Sequence, residues 1–232
     1  MDSLLKRTKG FSLIELLVVI AVLVIIMGTA ALTMGTSMRD SRTKKAAFDF
    51  KAMLTDATKE AMANYKPVVV RKDTSFSNGI RLMMFMDRNE DMVFNGNDRM
   101  LAYFVVTGNK VDPGRPPEYS GDYYFTPDVL IKSSTQSGGT SVDLSNLYGS
   151  DFNSVPVLDD NSIIVVRPEG VYVVRVGGSV SPVGGVVLFR NIQDIDEATE
   201  ERQYFVFVTK TFTRVLKMED DGTGNFVIRE LQ

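Results

Sequence analysis

Residues 11–34 read FSLIELLVVIAVLVIIMGTAALTM, 24 residues with a single ionisable group, Glu15. At ~1.5 Å of rise per residue, one helix of this length crosses a hydrocarbon layer ~30 Å thick. Within lipid a lone segment satisfies its backbone hydrogen bonds only as a helix. The run therefore commits the first part of the chain to helix before any other feature is weighed. An ordinary secretory signal has a shorter apolar region, about 7–15 residues, followed by a small-residue cleavage site. This run is longer, and no clean site of that kind follows it. A plain signal anchor is the remaining bland alternative.

Lys6, Arg7 and Lys9 precede the run. Cations flanking a first helix favour the cytoplasmic face. The expected arrangement is a single pass, with the N-terminus cytoplasmic and everything beyond about residue 35 facing the periplasm or the exterior. Arg39, Arg42, Lys44 and Lys45 on the far side run against that rule. A carboxylate such as Glu15 inside a membrane helix costs about 2–3 kcal/mol or more, so it calls for a partner.

The stretch Gly10-Phe11-Ser12-Leu13-Ile14-Glu15-Leu16-Leu17-Val18-Val19-Ile20-Ala21 resembles the processing site of type IV prepilins and pseudopilins. The resemblance implies cleavage between Gly10 and Phe11 by a membrane prepilin peptidase. It also implies N-methylation of the new Phe11 amine and a filament-assembly role for Glu15. A cationic amine at Phe11 and the Glu15 carboxylate of a neighbouring subunit would compensate each other's burial. Loss of residues 1–10 removes three Lys/Arg and one Asp, which takes the net charge from −3 to −5.

Beyond the span the pattern stays helical. Ala46, Phe50, Met53, Leu54, Ala57, Ala61 and Tyr65 recur at three- and four-residue spacing. The amphipathic helix of residues 35–66 is expected to end near Asn64, ahead of Pro67. The rest reads as strands at 68–71, 80–87, 101–106, 162–167, 170–176, 186–189, 204–208, 214–218 and 226–229. Residues 107–160 carry Pro-Gly, Pro-Pro and Gly-Gly punctuation and read as a long loop insertion with one short strand near 129–132. Residues 194–202 (DIDEATEER) read as a charged loop or short helix. The expected fold class is α+β and pilin-like: a leader at 1–10, a transmembrane helix at 11–34, its amphipathic continuation, and an antiparallel β-sheet head at 67–232.

Three segments of the head resemble the GspH/FimT type of minor pseudopilins and pilins. They are ATKEAMANYKPVV at 57–69, GIRLMMFMDRNE at 79–90 followed by NGND at 95–98 and Leu101, and IIVVRPEG at 163–170. The resemblance implies a low-copy subunit of a type II secretion pseudopilus, with a structural and assembly role in protein export. The alternative is a minor type IV pilin that assists pilus assembly or DNA uptake. Implied partners are the prepilin peptidase, other pilins or pseudopilins in a filament, and an inner-membrane assembly platform.

The remaining chemistry is narrow. The chain has no cysteine and no histidine, which excludes disulfides, thiol nucleophiles, Cys/His metal sites and a Ser-His-Asp triad. No nucleophile–base pair or phosphate loop stands out, so no enzyme activity and no required cofactor are expected. Asp87, Asn89, Asp91, Asn95 and Asp98 fall at positions 1, 3, 5, 9 and 12 of a calcium-loop spacing. Met92 stands where that loop uses Gly, and the rival reading is a polar turn between strands. Lys210, Arg214, Lys217 and Arg229 are the candidate DNA contacts, but Glu219, Asp220 and Asp221 interrupt them, and the net charge is −3.

Overall fold

A computed structural model describes residues 12–72, 81–105, 123–124, 129–132, 139–159, 161–175, 179–191, 202–220, 222–223 and 226–231. The leader, Gly10, Phe11, most of 107–138 and the charged stretch 194–201 lie outside the described residues. The chain divides into two units between Arg39 and Asp40.

Helix α1 runs Leu13–Asn64. In the first unit, residues 12–29 are all exposed, although most are large and apolar. An apolar helix with no protein covering it fits a membrane or a filament neighbour as its surroundings. The helix stops where the spacing predicts. Tyr65 enters the left-handed region at φ 52°, and Pro67 follows two residues later.

In the second unit, α1 buries Ala46, Ala47, Phe50, Met53, Leu54, Ala57 and Ala61, a stripe at helical spacing. The strands that follow are β1 (Val68–Lys72), β2 (Arg81–Met86), β3 (Arg99–Val105), β4 (Tyr123–Tyr124), β5 (Val129–Lys132), β6 (Ser141–Val142) and β7 (Val155–Pro156). After them come β8 (Ser162–Arg167), β9 (Gly170–Arg175), β10 (Gly185–Asn191), β11 (Tyr204–Val208), β12 (Thr213–Asp220) and β13 (Phe226–Leu231). A short helix α2 (Ser145–Tyr148) lies between β6 and β7. Every strand expected from the sequence is present.

The head holds two main sheets where one was expected. One is ordered β4-β3-β2-β1-β8-β9, the other β13-β12-β11-β10-β5, and β6 and β7 form a small separate hairpin. Among the described strands, pairing is antiparallel except between β3 and β4, which run parallel, and an isolated parallel bridge joins Val157 to Val186. The helix stripe shares one core with Val68, Val70, Met84, Ile164 and Val166 of the first sheet. Phe189, Tyr204, Val206 and Val215 of the second sheet belong to the same core. Phe50 and Phe189 meet there with ring centroids 5.6 Å apart.

Both sheets are also buried on their other faces. Val69, Met83, Phe85, Met100 and Val165 build a second core behind the first sheet. Behind the second sheet, Leu188, Phe205, Phe207 and Leu216 pack with Val142, Leu144, Val155 and Val157. Residues 139–159 are thus a packing layer rather than a plain loop. Their apolar residues are scattered among turn residues, which is why no run marks them in the sequence.

Candidate functional site

The amino-terminal motif begins the described chain. Ser12 N–H donates to Glu15 Oε2 at 2.9 Å, and Ile14 N–H approaches Ser12 Oγ at 3.4 Å. This is one half of a capping box: the Glu15 carboxylate satisfies the free Ser12 N–H, while the Ser12 hydroxyl accepts from Ile14 rather than from Glu15. The Ser-x-x-Glu spacing of Ser12 and Glu15 is its sequence signal. Glu15 is exposed on the first turn. Its carboxylate therefore has a local donor at one oxygen within the subunit.

The acidic turn joins β2 to β3. Carboxylate oxygens of Asp87, Asp91 and Asp98 lie within 4.8 Å of one another. Asp87 is 1% exposed, and its Oδ1 and Oδ2 accept from Glu90 N and Met92 N, both at 2.7 Å. Asp98 accepts from Arg88 N at 3.0 Å and Asn95 N at 2.9 Å. Asp91 accepts from Val93 N at 2.8 Å and from the side-chain amides of Asn89 and Asn95 at 2.8 and 3.1 Å. The structure thus brings all five residues into one turn, the three carboxylates clustered and the two asparagines bonded to Asp91. Asn89 and Asn95 face Asp91 through amide donors, whereas a cation would need their oxygens. All six carboxylate oxygens of the trio already accept an N–H.

The chain takes this path at a conformational cost. Glu90 and Met92 adopt φ of 62° and 60°, the region that favours glycine. The bonds to Asp87 offset that cost. The turn also has a packing role: Phe94 stacks edge-on against Phe85 at 5.3 Å, and Arg71 Nη1 donates to Met92 O at 2.8 Å. It closes over the outer face of the first sheet.

A third cluster ties α1 to the second sheet. Tyr204 Oη donates to Asp40 Oδ1 at 2.7 Å, and Lys217 Nζ lies 3.4 Å from the same oxygen. Lys217 also sits over the Tyr204 ring, 5.6 Å from its centroid. Burial, then the hydrogen bond to Asp40, hold the Tyr204 phenol well above its ordinary range. Nothing in the local sequence signals this cluster, because its members lie far apart along the chain.

The basic residues considered for DNA contact are each engaged. Arg214 pairs with Glu230 at 3.0 Å, and Arg229 with Glu219 at 3.6 Å. Lys217 reaches Asp40 and Glu219, while Lys210 lies over the Tyr172 ring at 5.5 Å. Cations alternating with carboxylates do not make the continuous basic face that phosphate binding uses.

Residues 5–31 match the family model described as the prokaryotic N-terminal methylation motif. No curated protein and no solved structure matches the chain. The motif supports the type IV pilin superfamily, a structural family, and the long helix with its β-rich head has that layout. It implies processing by a prepilin peptidase and assembly into a filament with other pilins. The apolar helix fits membrane anchoring.

Proposed function

We propose that this chain is a minor pseudopilin of a type II secretion pseudopilus, non-enzymatic, with an assembly role in protein export. The observation that carries the reading is the amino-terminal motif, with Glu15 the one charge on the exposed, otherwise apolar stretch 12–29 of α1. The GspH/FimT-like segments around the acidic turn favour a minor subunit over a major one. In this reading, cleavage after Gly10 frees the Phe11 amine, which is then methylated. The Glu15 carboxylate exchanges its own Ser12 N–H for the amine of a neighbouring subunit. Exchange of a local hydrogen bond for a buried ion pair sets axial register, because a carboxylate left unpaired in an apolar bundle is strongly disfavoured. The N-terminus faces the cytoplasm before cleavage, and the head lies across the membrane.

A cross-linked pull-down of the mature protein from its native membrane, read by mass spectrometry, tests the assignment. The expected partners are other pseudopilins, a secretion ATPase and an outer-membrane secretin. Recovery with a major pilin and a retraction ATPase would overturn it in favour of a minor type IV pilin.

A further inference from the structure

Charge is distributed unevenly along the chain. Residues 39–51 (RDSRTKKAAFDFK) hold five Lys/Arg against two Asp, a net +3. Residues 52–232 hold 18 Lys/Arg against 25 Asp/Glu, a net −7. The basic segment follows the apolar run on the same helix. Arg42, Lys44 and Lys45 come 8, 10 and 11 residues after Met34. That spacing corresponds to ~12–17 Å of helical rise.

All three side chains are exposed, while Thr43, Ala46, Ala47 and Phe50 form the buried face of this stretch. Lys45 pairs with Asp49, and Lys44 lies 5.9 Å from the Phe48 ring centroid. Exposed pairs of this kind contribute little to stability and are easily screened. These contacts of Lys44 and Lys45 give little structural reason for cations at those two positions, and the orientation rule disfavours a basic run on this side of a first helix. A bilayer surface supplies a reason: juxtamembrane cations are drawn to anionic headgroups within about a Debye length.

We propose that Arg42, Lys44 and Lys45 form a collar that binds the phosphate groups of anionic phospholipids in the leaflet where α1 emerges. The proposal rests on residues 11–34 spanning the membrane. The collar is attracted to that surface and the acidic remainder is repelled by it.

The chain has no cysteine, so Ser41→Cys, at an exposed position beside Arg42, gives a single labelling site. The full-length labelled protein is reconstituted in phosphatidylcholine vesicles with and without phosphatidylglycerol, and flotation checks insertion in both. A nitroxide at position 41 is expected to be several-fold less accessible to a neutral water-soluble relaxation agent in the anionic vesicles. The difference should vanish at about 1 M salt, where the Debye length is ~3 Å. It should also vanish when Arg42→Glu, Lys44→Glu and Lys45→Glu are added. Equal accessibility in both lipids, with the protein floating in both, would overturn the collar alone. Failure to float in either would overturn the membrane span, and the collar with it.

Discussion

Tyr204 and Asp40 lie 164 positions apart, yet the phenol donates to the carboxylate at 2.7 Å and so joins α1 to the centre of the second sheet. Lys217 shares the same oxygen and covers the ring. The arrangement gives a buried phenol one charged acceptor, which is what a buried hydroxyl needs. Tyr204→Phe should cost about 1–2 kcal/mol, and Asp40→Ala somewhat more, because the latter leaves the phenol buried without its acceptor. Urea unfolding of the full chain in detergent measures both.

The same contact sets an alkaline limit. The Tyr204 phenol is raised above its ordinary value of 10.0, first by burial and then by Asp40. Tyr148 is raised likewise, first by burial and then by its bond to Glu230. For a group whose folded pKa is raised, the stabilisation is complete below the unfolded pKa and is lost as pH rises above it. Stability should therefore fall with pH above about 10, and less steeply in the Tyr204→Phe/Tyr148→Phe double variant. Identical slopes would detach both phenols from the effect.

The acidic turn behaves as a self-satisfied unit in this account. Asp87→Ala strands the N–H groups of Glu90 and Met92 and should destabilise by about 2–3 kcal/mol. The turn is held by its own hydrogen bonds with no cation needed to close it, so calorimetric titration with calcium is expected to give no saturable heat. A saturable isotherm that Asp98→Asn abolishes would make the turn a cation site, as its sequence spacing suggests.

Phe50 is 1% exposed and links the helix stripe to Phe189. Phe50→Ala should cost about 3–5 kcal/mol. Met62, half exposed on the same helix, should tolerate Ala within about 0.5 kcal/mol. Thermal or urea unfolding of the pair separates the buried stripe from the outer face.

Much of this architecture is legible in the sequence because its signals are local. The apolar run, the helical spacing from Ala46 to Ala61 and the stop before Pro67 each depend on neighbours a few residues away. So do the short Val/Ile/Phe strands. What is not legible depends on partners far along the chain. That the strands divide into two sheets follows from which faces Val68 and Val206 present to one helix. Residues 139–159 pack because Tyr148 and Phe152 meet Phe207, not because either sits in an apolar run. The Ser12 N–H bond to Glu15 is local, but in sequence the carboxylate points first to an intermolecular partner. The acidic turn reads as a ligand list in sequence, and the spacing does not reveal the N–H groups that donate to the same oxygens.

The central claim is that the amino-terminal motif is a processing signal and not a permanent anchor. Intact-mass analysis of the protein purified from a host with prepilin peptidase tests it most directly. The account predicts a chain that starts at Phe11, lacks residues 1–10 and is one methyl group heavier than the bare sequence. A chain that retains Met1–Gly10 in such a host would contradict it.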